Sequence, residues 1–160
     1  MIIYGENGAG KSHTAKRISR WARRHALDFK LGPRHGDSDL EFRTARCEFR
    51  NWRFLINDLK SGFGRDYKRG AWGSYGQIFN DICNAELLIL DDVGTDNDPN
   101  KFGVEQFYML LEARESRWTI ITTNIAPDFW EDRFERRIAS RLLRNTVHVP
   151  LTEVQDYNSR

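Results

Sequence analysis

Eight residues near the start, Gly5-Glu6-Asn7-Gly8-Ala9-Gly10-Lys11-Ser12, limit what this chain can fold into more than any others. Glycines bracketing a four-residue spacer let successive backbone N–H groups curl inward around an anion. The start of a helix adds further N–H groups that have no intrahelical partner. Lys11 brings a charge that reaches the β and γ phosphates of a nucleotide, and Ser12 offers a hydroxyl to Mg²⁺. This chemistry needs a strand before the loop and a helix after it. Apolar Ile2, Ile3 and Tyr4 supply the strand end, and Ala15, Ile18 and Ala22 follow at helical spacing. The nucleotide-binding set is therefore Gly5, Glu6, Asn7, Gly8, Ala9, Gly10, Lys11, Ser12 and His13, with ATP and Mg²⁺ as the ligands. His13 closes the set as the next helical position and is given no chemistry of its own.

A chain of 160 residues is the length of one domain and can bury a core around one sheet, so residues 1–160 read as a single core domain. With 39% hydrophobic and 30% charged residues, the composition argues against disorder and against a membrane class. No apolar run approaches the ~18 residues of a spanning helix. No signal-peptide pattern precedes the glycine loop, which points to the cytoplasm. Cys47 and Cys83 lie far apart without CxxC spacing and are expected to be reduced core cysteines. The formal charge is only +2, but the positive charge is mostly arginine and it clusters, which suits phosphate recognition.

Strand and helix signals alternate along the chain. A second strand is expected at 44–49, then a helix with Trp52, Leu55, Ile56 and Leu59 on one side, then a glycine-rich loop from Ser61 to Gly76. A short helix carrying Ile78, Phe79 and Ile82 leads into Leu87-Leu88-Ile89-Leu90, an unalternated run that fits a central strand buried on both faces. The stretch from Gly94 to Lys101 breaks the pattern. After it come a helix on Val104, Phe107, Tyr108 and Leu111 and a β-branched strand at 119–123. A last helix places Phe134, Ile138 and Leu142 on one stripe and Arg133, Arg137 and Arg141 on the next, and a final strand is expected at 146–149. This alternation predicts an α/β fold with a parallel sheet and helices on both faces.

The run Leu87 to Leu90 ends in Asp91-Asp92, the pattern of a Walker B strand. At the carboxyl end of such a strand, a carboxylate sits beside the glycine loop. Asp91 is expected to orient Mg²⁺ or its waters. Asp92 stands where many such ATPases carry a glutamate that orients the attacking water; its side chain is one methylene shorter, which implies slow turnover. Asn124 ends the next strand, where it could bond the γ-phosphate or the water, or simply start a turn. Arg137 and Arg141 share a helix face at i, i+4, with Arg133 and Arg144 nearby. They form either a solvated basic stripe or an arginine finger offered to a neighbouring subunit.

Together these blocks, with Arg137-Ile138-Ala139-Ser140-Arg141-Leu142-Leu143, resemble the AAA+ ATPases of the bacterial helicase loader and replication initiator clade, including transposition helper ATPases. The most specific pieces are the run Ile82 to Gly94 and the Arg-x-x-Ser-Arg block. The resemblance implies a P-loop, three-layer sandwich with a five-stranded sheet in the order 5-1-4-3-2. It also implies Asn124 as sensor 1 and Arg137 as the catalytic finger, with Arg141 as an interface arginine or rival. Arg160 lies where some members keep a nucleotide-contacting arginine. Such proteins carry a segment ahead of the loop, which begins here at residue 5, and a helical lid for which the residues after Val149 are too few. The lid is thus expected to be reduced or absent, and the chain reads as the core of a longer protein or as a trimmed relative.

The resulting expectation is an ATPase whose catalytic residues are Lys11, Asp92, Asn124 and Arg137 and whose metal ligands are Ser12 and Asp91. It would bind ATP or ADP, self-associate through the Arg137/Arg141 face, and act with a replicative helicase or transposase. The block from Arg43 to Tyr75 interleaves Arg43, Arg46, Arg50, Arg53, Arg65, Lys68 and Arg69 with Phe63, Tyr67, Trp72 and Tyr75. Basic groups that track a backbone and rings that stack on bases suit single-stranded DNA. Two rivals stand beside this reading: a small P-loop kinase, and a nucleotide-gated binding module with negligible turnover.

Overall fold

The structure, a computed structural model, describes residues 1–25, 46–62, 75–94, 100–144 and 146–151. Five short strands alternate with helices: β1 (Ile2–Tyr4), α1 (Lys11–Arg24), β2 (Cys47–Asn51), α2 (Trp52–Gly62), α3 (Tyr75–Asn84), β3 (Leu87–Asp91), α4 (Phe102–Ala113), β4 (Trp118–Thr123), α5 (Trp130–Phe134), α6 (Arg136–Leu143) and β5 (His148–Pro150). A 3₁₀ turn at Pro127–Phe129 leads into α5. All neighbouring strands pair in parallel in the order β2-β3-β4-β1-β5, which is the expected 5-1-4-3-2 read from the other edge. No helix among the described residues is long and apolar enough to cross a membrane.

Strand side chains alternate between two covered faces, which is why β1 and residues 87–90 of β3 read as unbroken apolar runs, while β4 carries Ile120 and Ile121 among β-branched threonines. Ile2, Leu88, Leu90 and Ile121 join a core with Trp52, Leu55, Phe107, Trp130, Phe134 and Ile138 from the helices of one face. Ile3, Ile89 and Ile120 point the other way and pack with Ala15 of α1. Leu88, Ile89 and Leu90 are fully buried, each contributing about 1.5–3 kcal/mol relative to exposure. Three layers result: α1, the sheet, and α2 to α6.

Several boundaries differ from expectation. β2 runs on to Asn51, and β5 begins at His148 rather than residue 146. Ser61 and Gly62 belong to α2, where the Ser61 hydroxyl donates to the Asp58 carbonyl, and Tyr75 and Gly76 belong to α3; the rest of the expected glycine-rich loop, 63–74, lies outside the described residues. On α4 the buried stripe is Gly103, Gln106, Phe107 and Leu110, with Val104, Tyr108 and Leu111 only partly covered. The last helix is two. Glu135 separates α5 from α6 at φ 68°, ψ 153°, a conformation L-residues rarely adopt, and its carbonyl accepts from Ile138 and Ala139 to start α6. Spacing of four residues between Phe134, Ile138 and Leu142 survives the break, so periodicity does not register it.

One buried cation ties the helical layer to the sheet. Arg114, just past α4, is 3% exposed, and its guanidinium donates to the carbonyls of Ile82, Cys83 and Ala85 at 2.7, 3.1 and 2.7 Å. It also donates to the Trp118 carbonyl at 2.7 Å and the Thr119 hydroxyl at 3.1 Å. Ile82 and Cys83 lie in the last turn of α3 and Ala85 just past it, at the negative end of the helix dipole, where carbonyls have no intrahelical partner. Burial, and secondarily Arg117, push the Arg114 guanidinium down to about 10, so it stays charged at neutral pH. Replacing it with the similarly long Met leaves several buried acceptors unpaired at ~1–3 kcal/mol each. Arg114→Met should therefore cost at least ~3 kcal/mol in denaturant unfolding. Arg114→Lys, which cannot fork, should recover only part of this. An Arg114→Met variant within ~1 kcal/mol of the parent would show that these bonds do not hold α3 to the sheet.

Candidate nucleotide site

The parallel sheet delivers β1, β3 and β4 to one edge, and the residues expected to handle phosphate lie at their carboxyl ends. After Tyr4 the chain turns at Gly5, whose φ is 152° and where a Cβ would meet the Leu151 carbonyl oxygen at 2.5 Å. Leu151 approaches this closely because its N–H donates to the Tyr4 carbonyl at 2.8 Å. Gly8 and Gly10 take φ of 82° and 84°, and Gly10 serves as N-cap of α1 without a side-chain cap. The first turn of α1 carries no acidic residue. Among the described residues no side chain caps its first N–H groups, the kind of groups that a helix start offers to an anion. Glu6, Asn7 and His13 are exposed, Ala9 is buried and Ser12 is half-buried in the first turn of α1.

Lys11 is 7% exposed, and its Nζ donates to the carbonyls of Gly5 at 2.9 Å and Glu6 at 2.6 Å. Both partners are neutral. Burial lowers the Lys11 pKa, and the charges of Asp92 and Asp91 oppose that shift, which places both carboxylates within electrostatic reach of the loop.

Asp91 is buried at the end of β3, and Asp92 follows at φ 64°. The Thr122 hydroxyl donates to Asp91 Oδ1 at 2.7 Å and accepts the Asp92 N–H at 2.8 Å. Thr123 Oγ1 donates to the Val93 carbonyl at 2.8 Å, and Asn124 Nδ2 approaches Asp92 Oδ1 at 3.5 Å. Asp91 and Ser12 offer oxygen donors, the type Mg²⁺ takes. Among the described residues no group of three or more His, Cys, Asp or Glu could hold a metal. An ion carried by nucleotide phosphates needs only one or two protein ligands, so this sparse donor set fits it. The sequence does not reveal Thr122 as a partner of the acid pair, because the contact exists only once β3 and β4 are neighbours.

Arg137 lies apart from this group. Its guanidinium donates to Glu105 at 2.5 Å and Glu135 at 3.3 Å and lies 4.3 Å from the centre of the Tyr108 ring. Arg141 packs on the same ring at 5.2 Å and donates to Glu112 at 3.2 Å. The bond to Glu105 is the main reason that the Arg137 pKa is raised, and the bond from Lys101 is the main reason that Glu135 is lowered. Arg133 donates to the Gly94 carbonyl at 2.7 Å.

Of the basic and aromatic block, Arg43, Phe63, Arg65, Tyr67, Lys68, Arg69 and Trp72 lie outside the described residues, as does Arg160. Arg46 pairs with Glu48 and Asp81, and Arg50 pairs with Glu48. Tyr75 is half-buried, donates to Gln106 at 2.7 Å and stacks on Phe79. Arg53 and Phe54 are exposed on α2. Cys47 and Cys83 are free thiols that pack, half-buried, against the edges of the two cores rather than inside them.

No family model matches the chain, and no curated protein matches it in sequence. Solved structures do match. The chain is similar to AMPPCP-bound DnaA from Aquifex aeolicus, at 17% identity and TM-score 0.67 over 94% of this chain and 39% of that one. It is similar to replication initiator DnaA bound to AMPPCP and single-stranded DNA, at 18% identity and TM-score 0.62 over 94% and 39%. It is also similar to the DnaC helicase loader, at 20% identity and TM-score 0.67 over 97% and 77%. The chain spans about two fifths of the length of the DnaA chains. It shares the fold of these replication initiator and helicase loader structures.

Proposed function

We propose that this chain is an ATP-binding and hydrolysing AAA+ core that couples the nucleotide to self-assembly on DNA. The observation that carries the reading is Lys11, a buried ammonium that among the described residues bonds two neutral carbonyls, beside a helix start with no side-chain cap and within reach of Asp91 and Asp92. A buried cation with neutral partners is a strong attractor for an anion. In this reading the loop N–H groups take the phosphates, and Lys11 exchanges its bonds to Gly5 and Glu6 for the β and γ oxygens. Ser12 and Asp91 would hold Mg²⁺, which would supply neutralisation of charge on those oxygens. Asp92 and Asn124 orient the attacking water, and Arg137 of a neighbouring protomer meets charge developing on the γ-phosphoryl group, which passes to that water to give ADP and phosphate. DnaA structures of this fold hold AMPPCP, and one also holds single-stranded DNA, the two kinds of ligand proposed here. The DnaC likeness supports a replicative helicase as partner, with a transposase as the alternative.

A second reading, a nucleotide-gated binding module with negligible turnover, draws on two contacts. Asn124 lies against the short Asp92 side chain, and Arg137 is bound within its own protomer by Glu105 and Glu135.

Under the hydrolytic reading, activity per protomer should rise with protein concentration. Arg137→Ala should lose turnover by roughly 10³ to 10⁵ while keeping ATP affinity. Full activity in that variant, or concentration-independent activity in the parent, would count against a site shared between protomers. For DNA, oligonucleotide affinity should fall steeply with salt, and Arg53→Ala should flatten that slope by somewhat under ~1 unit. An unchanged slope would remove α2 from the DNA surface.

A further inference from the structure

Thr122 does something at the acid pair that the backbone ladder does not. The ladder between β3 and β4 ends with Leu90 opposite Ile121. One residue further, the Val93 N–H still donates to the Thr122 carbonyl at 2.9 Å, and the Thr122 side chain adds its own bonds to the acid pair; Thr122 itself sits opposite Ile3 of β1, the strand that feeds the glycine loop. The residue is 1% exposed, so its hydroxyl bonds only what the fold provides. A hydroxyl has one hydrogen to give and two lone pairs to receive. The Asp92 amide can only donate, and it lies 2.8 Å from Oγ1. The hydroxyl hydrogen therefore goes to Asp91 Oδ1 at 2.7 Å. Both bonds have fixed direction, and together they join the two carboxylate residues through one side chain.

We propose that Thr122 is a positioning residue of the nucleotide site: by bonding Asp91 Oδ1 it leaves Oδ2 as the oxygen that would serve a metal, and by accepting the Asp92 N–H it holds Asp92 in its left-handed turn. This rests on the reading that Asp91 serves the Mg²⁺ of bound ATP. A carboxylate with one oxygen tied cannot rotate to offer either oxygen equally, so the ion meets a prepared ligand. Partners of this kind, which orient a ligand without touching the metal, typically change metal affinity 10–100-fold when removed. Replacement by valine keeps the volume and removes the hydroxyl; replacement by serine keeps the hydroxyl.

The test is ATP binding to parent, Thr122→Val and Thr122→Ser at stepped Mg²⁺ and in excess chelator, followed by calorimetry. Thr122→Val should raise the Mg²⁺ needed for half-maximal enhancement of ATP binding about 10–100-fold, with metal-free affinity unchanged, and Thr122→Ser should lie close to the parent. Equal Mg²⁺ requirement in parent and Thr122→Val overturns the proposal. So does an equal loss of affinity with and without Mg²⁺, which would mark Thr122 as part of the core alone. A parent whose ATP affinity ignores Mg²⁺ contradicts the underlying reading of Asp91, and this proposal with it. Should Thr122→Val fail to fold, the parent decides: its Asp92 amide must be protected from hydrogen exchange, and free exchange overturns the geometry.

Discussion

In a parallel sheet every strand ends on the same edge, and the order β2-β3-β4-β1-β5 sets the loops after β3, β4 and β1 in a row. The candidate chemistry depends on that arrangement. The glycine turn after β1, Asp91 and Asp92 after β3, and Asn124 after β4 are far apart in the chain and are brought together because their strands are neighbours. Helical cover on both faces keeps the strands from exposing apolar surface and leaves this edge, where the backbone turns, as the place for a polar ligand.

Local patterns were readable where one residue type has one physical use. Glycines at 5, 8 and 10 occupy positive φ, and only glycine fits at Gly5 against Leu151. The run Leu87 to Leu90 reads as doubly buried because it is. Strand order was a different matter: alternation predicts a parallel sheet, while β4 inserted between β3 and β1 followed only from the resemblance. Tertiary contacts were not legible. Arg114 looks like one more arginine near a helix end until α3 and the residue after it deliver the carbonyls of Ile82, Cys83 and Ala85 to it. Gln106 sits in the buried stripe of α4 because Tyr75 donates to it, so a polar residue occupies a place that periodicity reserves for an apolar one.

The arginines show why a charge stripe underdetermines its use. Arg137 and Arg141 flank Tyr108 and pair with Glu105, Glu135 and Glu112, all on exposed surface where such pairs contribute little to stability. Weak, exposed contacts are exchangeable, so they hold a guanidinium in place without preventing its transfer to a stronger anion. Arg46 and Arg50 are likewise partnered by carboxylates, which lowers the positive field of β2 below what a count of arginines suggests. Along α2, exposed Arg53 and Phe54 keep the combination of charge and ring suited to a nucleic acid strand.

The central claim is that the glycine loop and Lys11 bind the phosphates of ATP, and thermal unfolding with ligand tests it most directly. A ligand specific for the folded state at a hundred times its Kd adds about 2.7 kcal/mol. For a chain of this size that raises the midpoint by about 5–10 °C. The account predicts such a rise with Mg²⁺ and ATP for the parent, and its loss in Lys11→Ala with the circular dichroism spectrum of the fold retained. An equal rise in parent and Lys11→Ala, or none in the parent, would contradict it.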